Sequence, residues 1–248
     1  EQGSKQLETA LESSERRTIM AIELTWLGHG SWLIDASGSR IVLDPFLDEN
    51  PAAPRKAADI DADFILVSHG HSDHVGDAAS IAHRTGALLV SNYEITEWFR
   101  AKHGVQNVLG MNLGGGVQLP FGHVKMTLAF HSSTLPDGSS GGCPAGFLLT
   151  LEGGKKIYFA CDTALFDDMR RIGTAGIDLA VLPIGDLFTM GPEDACEAVR
   201  LLQPKCVVPD HYNTWPPIAQ DAQAWAAAVR QSTSAQCLVV QPGERIVV

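Results

Sequence analysis

Four side chains that can bind metal ions lie close together, directly after an unbroken apolar run. His69 and His71 are two residues apart, so in an extended backbone their imidazoles project to the same side. Asp73 and His74 follow after a turn and face a neighbouring point. The preceding run, FILV at 64–67, is typical of a strand buried on both faces. Imidazole and carboxylate are donors that Zn²⁺, Mn²⁺ and Fe accept, so this density favours a metal site over a loop of solvated histidines.

Three further candidate ligands follow downstream, each just beyond a predicted strand. His131 stands in AFHSS, Asp162 in ACDT and His211 in PDHYNT. Taken singly, His131 or His211 would more often be an ordinary surface or core histidine. Because all of them lie where buried strands emerge, however, they can converge with the first four side chains on one edge of the fold.

The order of these residues resembles the signature of the metallo-β-lactamase superfamily, in which an HxHxDH loop precedes a histidine, an aspartate and a histidine. The motifs TWLGHGSWLI, VLDPFL, PAGF, CDTALF and PDHYNTWP extend the resemblance from residue 20 to the C-terminus. They look like the metal-dependent hydrolase branch, with the L-ascorbate-6-phosphate lactonases as a more distant group. The resemblance implies an α/β architecture, the αββα sandwich of the metallo-β-lactamase fold. Cys161 departs from the pattern, which has glycine there; a small buried hydrophobe is one interpretation and a redox-sensitive neighbour is the other.

The resemblance also implies how the ligands divide between two divalent metal ions. One ion would be held by His69, His71 and His131, the other by Asp73, His74 and His211, and Asp162 would bridge them. A carboxylate can span two cations about 3.5–4 Å apart, and a water between them loses a proton near neutral pH. Zn²⁺ suits the histidine-rich set best, with Mn²⁺, Fe and Ni²⁺ left open.

Such a centre indicates hydrolysis of a small-molecule lactone, ester or phosphoester. Asp73 is a candidate catalytic residue that accepts a proton from the attacking water. Flavodiiron oxygen reductases resemble this fold but carry glutamate at the position of His71, which disfavours redox iron here. Three alternatives stay open: a metal-binding scaffold or sensor without catalysis, a β-lactamase, and a phospholipase-type phosphodiesterase.

Four other residues are candidates for supporting roles. His29, in a glycine-flanked turn, is a candidate catalytic residue that donates a proton or stabilises an anion; the alternative is a structural turn histidine. Asp44, at a predicted strand end, is a candidate acceptor for the free ring N–H of a metal-bound histidine. Tyr212 and Asn213, beside His211, are candidates for polarising a substrate oxygen.

Short β-rich runs and helical periodicity alternate in two blocks, which favours two sheets face to face with helices outside. The first block predicts an antiparallel meander at 22–27, 31–35 and 40–43, the metal strand, a helix from Val75 onward that continues at 78–84, a strand at 88–91 and a helix at 93–102. The second block predicts strands at 117–119, 124–130, 146–151, 156–159, 177–183 and 206–209, helices at 192–202 and 218–229, and closing strands at 238–240 and 245–248.

Length and composition predict one domain at 20–248, preceded by an N-terminal arm or an expression leader at 1–19. The chain has 248 residues and a net charge of −11, which argues against unaided binding to nucleic acid or an anionic membrane. Its five cysteines form no CxxC pair, so a reduced, cytoplasmic setting is the simpler interpretation. The sequence leaves a homo-oligomer open.

Overall fold

The computed structural model describes residues 21–248, so the arm or leader predicted at 1–19 lies outside the described residues. Within them, fourteen strands form two seven-stranded sheets. In chain order the strands are β1 (Glu23–Trp26), β2 (Trp32–Ala36), β3 (Ser39–Leu43), β4 (Phe64–Leu66), β5 (Leu88–Asn92), β6 (Val108–Met111), β7 (Gly116–Leu119), β8 (Gly122–Leu128), β9 (Ala145–Leu151), β10 (Lys156–Phe159), β11 (Leu179–Pro183), β12 (Cys206–Asp210), β13 (Gln236–Cys237) and β14 (Arg245–Val247).

Each sheet joins an antiparallel half to a parallel half. The first sheet has the order β14-β1-β2-β3-β4-β5-β6 and changes from antiparallel to parallel at β3. The second sheet has the order β13-β12-β11-β10-β9-β8-β7, with antiparallel pairing from β7 to β10 and parallel pairing from β10 to β13. Parallel neighbours need crossover connections, which helices supply on the outer faces.

Six α-helices lie within the described part of the chain. They are α1 (Ser72–Val75), α2 (Ala78–Thr85), α3 (Tyr93–His103), α4 (Met169–Gly173), α5 (Pro192–Leu202) and α6 (Ala222–Ser232), and three short 3₁₀ helices lie at Ala57–Asp59, Glu152–Gly154 and Pro216–Ile218. Among the helices of residues 21–248, none combines the length and the apolar character needed to cross a membrane.

Alternation along β3 shows how one sheet separates two cores. Ile41 and Leu43 pack between the sheets, whereas Val42 packs on the opposite face, in a cluster that includes residues of α2 and α3. Across the central core, Trp32 of the first sheet faces Phe159 of the second, with ring centroids 6.2 Å apart. The layers therefore confirm the predicted αββα sandwich.

Local signals set the helix bounds. The side chain of Asn92 accepts a hydrogen bond from the Ile95 N–H at 2.9 Å and begins α3, and Gly104 ends that helix with φ at 68°. Pro192 occupies the first turn of α5, as predicted, because its missing N–H has no intrahelical partner there anyway. The side chain of Asp221 caps the start of α6.

Several predicted elements need correction. The helix expected from Val75 onward begins at Ser72 and ends at Val75, before a separate α2. The helix expected at 218–229 begins only after Asp221, because that side chain caps the backbone N–H groups of the first turn. The strand expected at 238–240 is irregular, since the pairing of β13 with β12 covers only Gln236 and Cys237. The short elements β6 and α4 were not predicted, because neither is long enough to show a clear period.

Candidate metal centre

The 69–74 loop leaves the end of β4 and turns immediately into α1. His71 precedes the first turn of that short helix, which itself carries Asp73 and His74. His69 and His74 are fully buried, whereas the Asp73 side chain is about a quarter exposed (26%). Gly70 lies against Leu135 closely enough that a Cβ would come within 3.1 Å of it. The tight turn therefore places two buried imidazoles beside one accessible carboxylate.

His69, His71 and His131 form one group of nitrogen donors. His69 Nε2 and His71 Nδ1 are 3.0 Å apart, and the ring centroid of His131 lies 5.0 Å from the centroids of both. One nitrogen from each ring lies within 4.8 Å of the other two. These distances suit three donors around a single cation.

A second group lies beside the first. One donor atom from each of His29, Asp73, His74 and His211 lies within 4.8 Å of the others. The rings of His74 and His211 are nearly parallel, at 12°, with centroids 5.7 Å apart. These two groups have the composition predicted for the two ligand sets, with His29 added to the second, while a third group of Asp44, His69 and His74 joins them. The division of the ligands between two cations stays a prediction.

The carboxylate of Asp162 lies between the two groups. Its Oδ2 atom is 3.0 Å from His211 Nε2 and 3.4 Å from His74 Nε2 in the second group. The same oxygen is 3.5 Å from His131 Nε2 and 3.9 Å from His69 Nε2 in the first group. The carboxylate is thus close to donors of both groups, which is the placement that the predicted bridging role needs.

Two buried ring nitrogens without a hydrogen-bond partner indicate whether a metal ion fits the site. His74 Nε2 and His211 Nε2 are buried and have no hydrogen-bond partner among residues 21–248. Both approach Asp162, yet neither does so with hydrogen-bond geometry. Leaving such atoms unpaired costs about 1–3 kcal/mol each. A cation among them would satisfy both nitrogens and the carboxylate, so the donor set fits a divalent metal.

The pKa shifts of Asp162, His74 and His211 also favour a bound cation. Burial alone would raise the pKa of Asp162, but His211 and His74 outweigh it and hold the pKa well below its usual range. Burial alone would lower the pKa of His74 and of His211, yet the Asp162 carboxylate raises both. The Asp162 carboxylate therefore favours positive charge around His74 and His211, which bound cations would supply. Burial lowers the pKa of His69, His71 and His131, which leaves these imidazoles neutral and able to bind a metal ion.

Asp44 makes the contact that its predicted role requires. Its Oδ1 accepts the Ser68 N–H at 2.7 Å, and its Oδ2 accepts from Ser68 Oγ at 2.5 Å and lies 2.9 Å from His74 Nδ1. Because a carboxylate can only accept, His74 Nδ1 donates its proton to Asp44, which leaves Nε2, the atom that faces Asp162, as the nitrogen that would bind a cation.

Replacing Asp44 with asparagine is therefore expected to weaken metal binding by about 10–100-fold, because His74 loses its charged partner. Asparagine has the same size and tolerates the positive φ of 44° found here. Competition titration against a chelator measures the affinity. Asp63→Asn is the matched control, since that carboxylate accepts the Arg40 N–H on the exposed edge of the fold. Equal metal affinity in the two variants would contradict the role of Asp44.

His29 is enclosed behind the second group. It has no exposed surface, its Nε2 lies 3.1 Å from Asp73 Oδ2, and its Nδ1 lies 2.8 Å from Thr214 Oγ1. Its backbone carbonyl accepts the N–H of His211 at 3.2 Å. Burial, with His211 nearby, lowers the pKa of His29 to about 4, so the ring is neutral at pH 7. Both ring nitrogens are engaged by the protein, and the predicted direct role in catalysis stays a prediction.

Tyr212 and Asn213 are not placed for the role predicted for them. The Tyr212 ring stacks on Trp26, with centroids 5.3 Å apart, and the Asn213 side chain accepts the N–H of Gln220. Both line a cavity of about 720 Å³ that none of the seven candidate ligands lines. The side chain of their neighbour His211 lies in the second donor group instead. Closeness to His211 in the sequence therefore did not place Tyr212 and Asn213 at the centre.

Cys161 adopts a left-handed backbone conformation, with φ at 53°. That conformation is easiest for glycine, which explains why the family pattern has glycine at this position. Burial, together with the neighbouring carboxylates, raises the pKa of the thiol well above its usual range, so the sulfur is protonated. A protonated, half-buried thiol is consistent with its interpretation as a small hydrophobe.

The sequence did not single out four residues that shape the site: Ser68, Phe46, Thr214 and Trp215. Ser68 holds Asp44, and Thr214 holds His29. The rings of Phe46 and Trp215 pack against His29, with centroids 5.8 Å and 4.9 Å away. Each of the four lies within two residues of a predicted site residue, which was the available signal, but their partners come from distant parts of the chain.

Comparison with known proteins gives consistent matches. The family model described as the Beta-lactamase superfamily domain matches residues 33–212. A UPF0173 metal-dependent hydrolase of Thermus thermophilus is 49% identical over 223 residues, covering 90% of this chain and 97% of that protein. A UPF0173 metal-dependent hydrolase of Pelotomaculum thermopropionicum is 48% identical over 228 residues, covering 90% of this chain and 98% of that protein.

Solved structures extend the comparison to the fold. A metallo hydrolase from the archaeon Ignicoccus hospitalis superposes with a TM-score of 0.83 and 36% identity, covering 92% of this chain and 99% of that one. An isothiocyanate hydrolase from Delia radicum gut bacteria superposes with a TM-score of 0.74 at 20% identity, covering 91% of this chain and 98% of that one. At that identity the second likeness concerns the fold alone.

Proposed function

Because this chain belongs to the β-lactamase superfamily and is a metal-dependent hydrolase, we propose that it cleaves a lactone, ester or phosphoester of a small molecule at a centre of two divalent cations. The observation that carries the proposal is the position of Asp162 Oδ2 between the two donor groups. The proposed ligands are His69, His71 and His131 for one cation, Asp73, His74 and His211 for the other, and Asp162 for both. Zn²⁺ is the first choice for this histidine-rich set.

Bound divalent cations supply two things here: a lower pKa for a water molecule and stabilisation of negative charge on a substrate oxygen. The chain supplies the positions. Imidazoles from both donor groups would hold the cations, and the Asp162 carboxylate would balance part of their charge. Serine or cysteine is not needed as a nucleophile, which agrees with the protonated state of the Cys161 thiol.

Asp73 is the proposed proton acceptor. It is the most exposed carboxylate among the seven proposed ligands, at 26% against 4% for Asp162, so it faces the side from which substrate arrives. Burial would raise the pKa of Asp73, but the hydrogen bond from His29 and the nearby His74 outweigh it and lower the pKa below its usual range. The carboxylate is therefore ionised at neutral pH and can take a proton from an attacking water.

His29 is the proposed positioning residue for Asp73. When its Nε2 donates to the carboxylate and its Nδ1 accepts from the Thr214 hydroxyl, both bonds hold the ring in one tautomer. The same residue reaches His211 through its backbone carbonyl. His29 thus fixes two proposed ligands of the second cation from behind.

The variants His29→Gln and His29→Ala separate this role from direct proton donation. A glutamine amide can still donate to Asp73, so we expect His29→Gln to keep most of kcat and of the metal content, and His29→Ala to lose about 10–100-fold in metal affinity at that site. Steady-state kinetics and elemental analysis measure the two effects, with the surface variant His83→Ala as control. Equal losses of kcat in both variants, with full metal content, would instead support a proton-donating His29.

A hydrolysis screen of the metal-loaded protein tests the proposed reaction. The panel consists of aryl esters, lactones, phosphodiesters, a chromogenic β-lactam and a phospholipid, each also offered to an Asp162 variant. Elemental analysis of the same samples identifies the metal and its stoichiometry. Two equivalents of metal together with hydrolysis of a lactone, ester or phosphoester are expected. Full metal content with no hydrolysis across the panel would count against the proposal and for the scaffold alternative.

A further inference from the structure

Three large apolar side chains are exposed on two loops that adjoin the metal centre. Phe130 is 58% exposed, Leu187 is 64% exposed and Phe188 is 56% exposed. We call these three residues the apolar rim. Exposing such side chains to water is unfavourable, and clusters of them on a soluble protein commonly mark a binding site.

The first loop ties Phe130 directly to two proposed ligands. Phe130 immediately precedes His131 in the chain. Its backbone N–H donates to Thr163 Oγ1 at 2.9 Å, and its carbonyl accepts the Ala164 N–H at 3.0 Å. Thr163 in turn follows Asp162. The exposed phenyl ring is therefore fixed to the backbone that carries both His131 and Asp162.

The second loop is held between the same turn and His211. At one end, Gly185 lies so close to His211 that a Cβ would come within 2.3 Å of its carbonyl oxygen and 3.4 Å of its Nδ1. At the other end, the Met190 N–H donates to the Thr163 carbonyl at 3.0 Å. Leu187 and Phe188 are the residues between these two attachments, so they lie at the border of the centre.

The backbone of this loop is strained. Asp186 and Leu187 both have left-handed conformations, with φ at 61° and 40°, although neither is glycine. The Asp186 N–H donates to the Met190 carbonyl at 3.0 Å and closes the loop. Such conformations persist where the surroundings hold them and are concentrated at functional sites. Here the strain coincides with the presentation of two exposed apolar side chains.

We propose that the apolar rim binds an alkyl or aryl group of the substrate whose scissile bond lies at the metal centre. This inference deepens the proposed function and rests on it for the position of the scissile bond. The occupant is argued from continuity, because both loops are anchored on residues that are, or directly follow, proposed ligands. A partner that binds away from the metal centre would not require loops that are attached to the proposed ligands.

Two hydroxamic acids test the inference in the metal-loaded protein without any need for turnover. Acetohydroxamic acid and octanohydroxamic acid share a metal-chelating head and differ by six methylenes. Each methylene that is buried contributes roughly fourfold in affinity, so we expect octanohydroxamic acid to bind about 100-fold more tightly if the rim covers part of the chain. Titration calorimetry gives both dissociation constants.

The double variant Leu187→Ala/Phe188→Ala is expected to reduce this preference about tenfold while leaving the affinity for acetohydroxamic acid unchanged. Phe130→Ala is expected to act in the same direction. Val247→Ala is the matched control, because Val247 is also exposed (66%) but lies on β14 at the edge of the first sheet. An unchanged metal content in every variant shows that the centre itself is intact.

An unchanged preference for octanohydroxamic acid in the double variant overturns the inference. If sedimentation velocity then shows a change of oligomeric state, the rim is a contact between copies of the chain instead. Failure of the hydrolysis screen is a separate result, since hydroxamate binding requires the metal centre but not the reaction. Failure of both hydroxamic acids to bind overturns the rim and the metal centre together.

Discussion

Replacing Asp162 with asparagine is expected to lower kcat by about 10³-fold or more, which corresponds to roughly 4 kcal/mol of lost transition-state stabilisation. The reason is geometric, because the Oδ2 atom lies within 3.9 Å of four ring nitrogens from both donor groups. An amide keeps the shape but removes the charge that, in the proposed centre, would hold two cations. Steady-state kinetics on the best substrate of the screen measure the effect.

Elemental analysis of the same variant should show fewer than two equivalents of metal. Asp167→Asn is the matched control, since this aspartate lies five positions further along the chain and is exposed. It should keep both the activity and the metal. Wild-type kcat in Asp162→Asn would remove the basis of the two-cation proposal.

Removing the metal is expected to lower the melting temperature by about 10 °C. A ligand present at 1,000 times its dissociation constant stabilises the folded state by about 4 kcal/mol, and each kcal/mol shifts the midpoint of a domain of this size by roughly 2–4 °C. The folded state should become less stable because buried groups lose the charge that compensates them. These groups are the carboxylates of Asp44 and Asp162 and the unpaired nitrogens of His74 and His211.

Differential scanning calorimetry before and after dialysis against a chelator measures this shift, and adding Zn²⁺ back should restore the original midpoint. The variant Asp44→Asn should recover only at a higher Zn²⁺ concentration, because its affinity is lower. Identical melting curves with and without metal would mean that the seven side chains do not bind a cation in the folded state.

The candidate ligands could be chosen from the sequence because a buried strand and a dense cluster of donors leave a local signal. The run at 64–67 and the loop after it predicted both the strand and the position of the site. The order of ligands implied by the resemblance to the metallo-β-lactamase superfamily then selected His131, Asp162 and His211 from the other histidines and acids. The bounds of α5 were equally local, because Pro192 occupies the first turn.

Local signals failed where partners come from far along the chain. His29 and Asp73 are 44 positions apart and His29 and Thr214 are 185 apart, so the enclosure of His29 could not be deduced from its glycine-flanked turn. Tyr212 was misplaced for a related reason: the backbone at His211 has a φ of 51°, and the regular alternation of a strand no longer tells which way the next side chain points.

The sequence by itself thus determined the fold class and the kind of chemistry and supplied the candidate donors, because donor types and strand periodicity are properties of short segments and the ordered motifs resemble a known superfamily. Only the tertiary structure showed which donors lie close together, which residues contact them on the buried side, and that Phe130, Leu187 and Phe188 are exposed on loops attached to the candidate ligands. Those features depend on loops from both sheets that meet at one edge. The residue spacing within one segment does not reveal which distant segments pack against it.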